Sequence, residues 1–543
     1  MNDSKRLRLL VEAIRDHTEF DHHIDKFDII ETHISCILLT GPYAYKFKKP
    51  VNPGFLDYST LEKRRFYCNE EVRLNQRLAP ELYLDVVSFT DSKQYPVIGG
   101  SGPVLEYAVK MVQFPVDAGL DQVLKSGYFT KSHVDELASR IASFHSAIPR
   151  AGPDTPFGEA KDIRQTVLDN FSLINPHLKD DAEYTGKLKE LEQWTRKQYD
   201  LLKETMAARK HDGYIRECHG DMHLANIIWY EGRVVIFDCI EFSGKLRWID
   251  VISEVAFLAM DLESRGQAAF AHRFVNKYLE HTGDYGGLSL LRFYCVYRAL
   301  VRAKVACLSA QNTAASETGR QELYDKCRHY VNCASHFTRQ HTGLGYLIIT
   351  HGLSGSGKST VVRSICEYLS AISIRSDVER KRLSGLSPAT RTEADIRAGI
   401  YSDCTTQQTY ATLCELAEKI MTAGYPVIVD ATFLMKKNRQ PMYDLARRLG
   451  VPVIVLSVQA GKKVLQHRIL EREATRSDVS DAGMPVLDYQ MRSIQPLDSS
   501  EQLNQLLVNT DGELNYLRIA DDINVKIQQL TRKLDKSVNV RSH

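Results

Sequence analysis

Along the first 115 residues the apolar positions change period twice. Leu7, Leu10, Val11 and Ile14 recur at helical spacing and predict a short helix within residues 1–24. From Phe27 to Lys49 the pattern reads as strands: Ile29–Ile30, Ile34 to Thr40, and Tyr43 to Lys49 after a Gly41–Pro42 turn. Side chains alternate along a strand, so Ala44, Lys46 and Lys48 share one face of the third. A helix follows, opened by Ser59-x-x-Glu62 as a capping box and stopped before Pro80. Within it Tyr67, Glu71, Leu74 and Leu78 keep to one stripe, which places Glu71 on the inward side. Glu70 falls instead on a polar face with Arg73 and Arg77. Val104 to Phe114 is a further strand, ended by Pro115.

The period then lengthens. Residues 131–147 and 160–208 read as helices, parted by the Pro/Gly-rich loop Pro149 to Gly158. The apolar strand Val234–Phe237 belongs to a hairpin, and long helices run on to about residue 338. His341 to Gly345 is a short linker. After it, apolar runs at 346–350, 371–376, 426–430, 451–457 and 505–509 alternate with helical stretches, the rhythm of a parallel sheet. A last helix is expected from about 514 to 534, with residues 536–543 as a disordered tail.

Length and composition narrow the class. A chain of 543 residues needs more than one core. Hydrophobic content of 43% and charged content of 25% are ordinary for globular protein, and a net charge of +2 offers no general attraction to nucleic acid or an anionic membrane. The 11 cysteines are scattered without a Cys-x-x-Cys pair, so neither a zinc site nor a disulfide framework is indicated. The N-terminus mixes acids and bases and lacks a signal-peptide core, and no apolar run reaches the ~18 residues of a membrane span. A reduced, cytosolic protein is expected.

The chemistry centres on His219-Gly220-Asp221-Met222-His223-Leu224-Ala225-Asn226, followed by Asp238 at the end of the hairpin strand. Phosphoryl transfer needs an acceptor hydroxyl held in line and metal ions to neutralise the transferred oxygens. Asp221 suits the first task. Asn226 and Asp238 offer hard oxygen ligands for Mg²⁺. Such a site also wants a lysine on the nucleotide phosphates, paired with a buried carboxylate. Glu71 is the carboxylate; Lys46 is favoured as the lysine, although strand parity cannot separate it from Lys48.

These residues resemble the signature of the aminoglycoside phosphotransferase-like kinases, relatives of protein kinases that act mostly on small molecules. The resemblance covers roughly residues 25–335. It implies a bilobal α+β domain over 1–340, with a small lobe at about 25–115 and a large lobe at about 116–340. It also implies adenine contact at the hinge Gln113 to Val116 and a buttressing role for Asp250, which as a lone Asp before a helix reads equally as an N-cap. One departure stands out: Glu31 to Thr40 holds no glycine, so no Gly-rich loop covers the phosphates.

The second domain, 345–535, announces itself by Gly352-Leu353-Ser354-Gly355-Ser356-Gly357-Lys358-Ser359-Thr360 between a strand and a helix, a complete Walker A motif. Backbone N–H groups of Gly352 and of Ser354 to Thr360 would cradle phosphate, with Lys358 on the β and γ phosphates and Ser359 on Mg²⁺. Asp430, after Val427–Val429, fits the Walker B role. Asp377, expected at a strand end beside the P-loop strand, reads as either an acceptor base or an N-cap, with Arg380 three residues on. Arg468, Arg472 and Arg476 share a helical face, either salt-bridged or leading into a lid. This α/β region resembles the P-loop kinases that include 5′-polynucleotide kinases, gluconate kinases, chloramphenicol phosphotransferase and zeta toxins. That likeness implies Asp377 as hydroxyl activator, Arg380 as acceptor contact, and Arg472 and Arg476 as lid arginines on ATP. The fusion in this order resembles proteins described as bifunctional aminoglycoside phosphotransferase/ATP-binding proteins.

The expectation is therefore an ATP- and Mg²⁺-dependent phosphotransferase with two nucleotide sites and small-molecule acceptors, the second acceptor anionic. A 5′-hydroxyl polynucleotide stays open as an acceptor. Two rivals remain: one kinase governed by a P-loop ATPase switch, and a non-catalytic nucleotide-binding module.

Overall fold

The computed structural model describes the whole chain except residues 1–2, 25, 53, 55, 93–94, 312–315, 340–342, 388–389, 391–398, 476–481 and 542–543. Its contacts divide into two compact units. The first is Met1–Asp261 with Phe293–Val331; the second is Leu262–Arg292 with Asn332–His543. The division expected from chain order falls at the 341–345 linker; by contacts, Leu262–Arg292, from inside the first sequence domain, belong to the second unit.

The first unit opens with α1 (Asp3–His17), then β1 (Asp28–Glu31), β2 (Ser35–Leu39) and β3 (Tyr43–Lys48). After α2 (Leu61–Asn75) come β4 (Tyr83–Asp91), β5 (Pro96–Ile98) and β6 (Val104–Val112). These strands form one antiparallel sheet in the order β1-β2-β3-β6-β4-β5. Its two faces follow the alternation of β3. Tyr45 and Phe47 pack with Leu7, Val11 and Ile14 of α1, while Ala44 packs on the other side with Cys68 of α2. The start of α2 differs from expectation: Thr60 caps it by accepting Lys63 N–H, because the Ser59 hydroxyl is taken by Asp57.

Helices α3 (Leu120–Lys125), α4 (Lys131–Ala147), α5 (Ala160–Leu178) and α6 (Ala182–His211) follow. The predicted helix 160–208 is thus two, broken where Pro176 and Asp180–Asp181 interrupt the ladder and Asp181 caps the next start. Next come β7 (Ile215–Glu217), the hairpin β8 (Ile227–Tyr230) and β9 (Arg233–Ile236), α7 (Gly244–Arg247), β10 (Trp248–Asp250) and α8 (Val251–Ser264). The chain continues through α9 (Ala268–Thr282), α10 (Leu288–Gln311) and α11 (Glu317–Arg339).

The second unit is built on β11 (Leu347–His351), α12 (Lys358–Leu369), β12 (Ile372–Arg375), α13 (Ser376–Leu383), α14 (Asp403–Thr422), β13 (Val427–Asp430) and α15 (Lys436–Leu449). It is completed by β14 (Val453–Gln459), α16 (Lys462–Thr475), α17 (Met484–Ser493), α18 (Ser499–Gln502), β15 (Gln505–Asn509) and α19 (Tyr516–Arg541). The strands pair in parallel in the order β12-β13-β11-β14-β15, the sheet of a P-loop NTPase fold. Ile348, Ile428, Ile454 and Leu456 of the sheet bury against Val361, Val362 and Ile365 of α12. This order corrects one expectation. The strand leading to Asp377 lies next to β13, not beside the P-loop strand β11. The tail expected to be disordered also differs: α19 stays helical to Arg541, since residues 514–541 contain no Pro or Gly to break the backbone ladder. Among the described residues no helix is long and apolar enough to cross a membrane.

Candidate active sites

In the first unit the five residues singled out by sequence meet at the loops flanking the β8–β9 hairpin. Asn226 Nδ2 donates to Asp221 Oδ2 at 3.1 Å and to the Asp221 carbonyl at 3.0 Å, which leaves the Asn226 amide oxygen for a cation. Phe237 N–H donates to the Asn226 carbonyl, so the strand ending at Asp238 is tied directly to the Asp221 loop. Asp238 adopts a left-handed backbone (φ 63°) that turns its side chain out of the ladder. Its Oδ1 lies 2.6 Å from Lys46 Nζ.

Lys46 Nζ also stands 2.7 Å from Glu71 Oε1. The strand ambiguity resolves unexpectedly, because Lys48 Nζ reaches the other oxygen of Glu71 at 2.6 Å and also pairs with Glu241. Tyr58 donates its hydroxyl to Glu241 as well. Both lysines thus share one carboxylate, but Lys48 is 1% exposed and Lys46 is 14% exposed beside Asp238. Burial opposes charge on Glu71, yet the two ammonium groups outweigh it and hold the carboxyl down at about 2. Lys46 balances in the same way: burial lowers it, and Asp238 with Glu71 raises it well above its usual value.

Asp221 is kept ionised by its neighbours. Burial would raise its carboxyl, but the neighbouring His223 and the Arg302 guanidinium hold it well below the carboxylate range. His223 Nε2 lies 3.4 Å from Asp221 Oδ2, and Arg302 Nη1 lies 2.9 Å from that same nitrogen. His219 donates from Nε2 to the Phe237 carbonyl and accepts Asp221 N–H at Nδ1.

What fixes this loop was not found from sequence. Glu254 on α8 accepts Gly220 N–H at 2.7 Å and His219 N–H at 3.2 Å, and its carboxylate meets His145 at 2.9 Å. Two turns further along the same face, Asp261 accepts Leu224 N–H at 2.9 Å. The available signal was two acids seven residues apart in the apolar run Val251 to Ser264, where an unpaired carboxylate would be costly. Asp250 takes the capping role: it accepts Ile252 N–H at the start of α8 and pairs with Arg209 through both oxygens. Gly220 is required, since at φ 90° an added Cβ would come 2.8 Å from the Leu246 carbonyl. In the turn between β1 and β2, the Thr32 hydroxyl accepts Ser35 N–H and so serves the turn itself.

In the second unit the loop from Gly352 to Thr360 precedes α12. A Cβ at Gly352 would sit 2.2 Å from the Val458 carbonyl, so only glycine passes there. Lys358 Nζ donates to the Leu353 carbonyl at 2.7 Å across the loop. Burial pulls its ammonium down to about 8, with Asp430 and Asp377 opposing. The Ser359 hydroxyl bonds Asp430, whose carboxyl is raised by burial, and Arg375 Nε stands 3.6 Å from Asp430 Oδ2. Two hard oxygens converging behind a P-loop fit a magnesium shell.

A cavity of about 630 Å³ is lined by Ser354, Lys358, Asp377, Arg380, Asp430 and Arg472, a size that holds a small-molecule ligand. Asp377 lies in the first turn of α13, one residue past the helix start, rather than at the strand end. Arg380 Nη1 donates to the Ile400 carbonyl and the Thr406 hydroxyl, while its Nε is buried with no hydrogen-bond partner among the described residues. Arg468 is engaged by Thr510 and the Gly355 carbonyl; Arg472 donates to the Ala482 carbonyl. Arg476 lies outside the described residues. Sequence reasoning also missed Gln490 of α17, whose amide oxygen accepts Ser354 N–H at 2.8 Å.

Comparison with known proteins fits these two sites. Residues 123–291 match the model of the phosphotransferase enzyme family, and residues 347–497 match a family model described as an AAA domain. The chain is an enzyme that carries a phosphotransferase-family domain followed by a P-loop domain. It is similar to uncharacterised proteins of Mycobacterium bovis and Mycobacterium tuberculosis, 29% identical over 454 residues, 83% of this chain and 88% of theirs. Among solved structures, a gluconokinase from Sinorhizobium meliloti aligns at 19% identity over 37% of this chain and 99% of its own (TM-score 0.24). A choline/ethanolamine kinase family protein from Mesorhizobium loti aligns at 12% identity over 57% of this chain and 92% of its own (TM-score 0.34).

Proposed function

We propose that this chain is an ATP- and Mg²⁺-dependent phosphotransferase with two separate nucleotide sites, each passing the γ-phosphoryl group to a hydroxyl of a small molecule. The observation that carries this reading is that each unit gathers a full set of parts: a lysine, a magnesium carboxylate and a second carboxylate for the acceptor proton. In the first unit these are Lys46, Asp238 and Asp221; in the second they are Lys358, Asp430 and Asp377. Bound magnesium would neutralise charge on the transferred oxygens, held by Asn226 and Asp238 in one site and by Ser359 and Asp430 in the other. Asp221 and Asp377 each receive the acceptor hydroxyl proton as its oxygen bonds to the γ-phosphorus and the bond to the ADP oxygen breaks. Glu71 holds Lys46 toward the nucleotide, and Glu254 keeps the Asp221 loop in place.

The second acceptor is anionic in this reading. Among the described residues the cavity presents Lys358, Arg363, Arg375, Arg380, Arg468 and Arg472 against Asp377, Asp430 and Glu471 as carboxylates. The Arg380 guanidinium, which lines the cavity, suits a carboxylate or phosphate on the acceptor. Phosphorylated sugars, sugar acids and nucleotides, including a 5′-hydroxyl polynucleotide, fit that chemistry. Free cysteine thiols throughout the described chain suit a cytosolic enzyme.

The test is incubation of the full-length protein with labelled ATP and a metabolite extract, alongside the Asp221→Asn and Asp377→Asn variants. Each variant is expected to lose a different labelled product. Loss of both products in either one would support a single kinase under a P-loop switch instead.

A further inference from the structure

Strand β12 lies at the edge of the parallel sheet, where its outward N–H and C=O groups have no strand to meet. They are met by a side chain of α9. Asn276 donates from Nδ2 to the Ala371 carbonyl at 3.0 Å and accepts Ser373 N–H at Oδ1 at 2.7 Å. The amide thus stands in for a neighbouring strand. Arg273, one turn earlier on α9, pairs with Glu367 of α12 at 2.9 Å, with both side chains largely buried. One turn after Asn276, Glu280 Oε1 lies 3.2 Å from Arg375 Nη1, while Arg375 Nε faces Asp430. Arg375 and Asp430 are also paired in register on β12 and β13. A cavity of about 30 Å³ is bounded at once by Glu280, Arg375, Asp430 and Ser359.

We propose that Glu280 is a positioning residue of the P-loop site: by sharing Arg375 with Asp430, it sets how readily Asp430 turns to magnesium. Helix α9 is then a working part of that site, although it precedes the Walker A motif by some seventy residues. The reason is competition for one guanidinium. Arg375 and a bound Mg²⁺ both attract the Asp430 carboxylate, and Glu280 draws Arg375 the other way. Lys277, 3.0 Å from Glu280, and Arg363 nearby complete the charges facing that carboxylate. The proposal rests on reading this unit as a magnesium-nucleotide site.

The test uses full-length protein with a non-hydrolysable ATP analogue at fixed concentration and a MgCl₂ titration. The readout is amide-exchange protection of the segment 352–359, which reports the second site alone. Wild type should gain protection with magnesium. Glu280→Gln keeps the side chain's shape but releases Arg375 onto Asp430, so the MgCl₂ needed for half protection should rise about 10-fold, as expected for a residue behind a metal ligand. Arg375→Ala should lower that requirement, Glu280→Gln with Arg375→Ala should follow Arg375→Ala, and Glu280→Asp should restore most of the wild-type value. Asn276→Ala controls for docking of α9, because it breaks the edge-strand contact without touching Arg375. Equal shifts in Asn276→Ala and Glu280→Gln, or none in Glu280→Gln, would overturn the positioning role while leaving the nucleotide site standing. A wild type with no magnesium-dependent protection would remove the nucleotide-site reading and this inference with it.

Discussion

Lys46 and Glu71 form a 2.7 Å ion pair whose carboxylate has a second lysine, Lys48, on its other oxygen. The two lysines are two residues apart on one strand and face one acid, yet their surroundings assign them different work. Lys46→Met should leave the protein folded and reduce first-site turnover by at least about 10²-fold, through loss of a charged group on the phosphates. Lys48→Met should instead lower stability by about 3–5 kcal/mol, because it strips the buried Glu71 and Glu241 of their shared cation. Chemical denaturation and single-turnover assays of both variants separate the two outcomes. Equal effects on both measurements would mean the lysines are interchangeable.

Asp221→Asn should retain ATP binding at the first site, since Lys46, Asn226 and Asp238 remain, while transfer falls by at least about 10²-fold. Glu254→Gln makes a useful contrast. It acts through the Gly220 and His219 N–H groups and its pairing with buried His145, so it should lose about 1–3 kcal/mol of stability together with a smaller part of turnover. Full turnover in Asp221→Asn would remove that residue from catalysis.

The Lys358 ammonium is pulled down to about 8, with burial as the leading cause. Bound phosphates favour the charged form, so the pKa in the complex lies higher than in the free protein. Between those two values nucleotide binding takes up a proton, and affinity should fall as pH rises above about 8. Calorimetry at pH 9 in buffers of different ionisation enthalpy should register that uptake. Lys358→Ala should abolish both the uptake and second-site binding, with first-site transfer intact; an unchanged proton count would show that Lys358 is not the group.

For the second acceptor, Asp377→Asn should bind ATP normally and transfer nothing measurable. Arg380→Ala should mainly raise KM for the acceptor, worth about 2 kcal/mol if its guanidinium makes a charged hydrogen bond. A neutral or cationic acceptor turned over equally well without Arg380 would sink the anionic assignment.

Much of this architecture was legible in the residues themselves. A Walker A loop between a strand and a helix, and an Asp-x-x-x-x-Asn loop before a hairpin, are local patterns whose chemistry depends on nearby backbone. Helical period alone placed Glu71 on the inward stripe, and it is fully buried. Period names a face, however, and not what stands opposite. Lys46 meets Asp238 across 192 positions of sequence, and parity left Lys48 an equal claimant until burial separated them. The roles of Glu254 and Asp261 lie in the N–H groups they hold, which only the fold brings to them. Strand order is likewise invisible in chain order, which is why Asp377 was expected beside the P-loop strand and lies one strand further out. The assignment of α9 was decided by an unpaired sheet edge. A motif announces the loop that binds a ligand, but an exposed row of backbone groups on β12 is satisfied by whichever side chain folding brings to it, here Asn276.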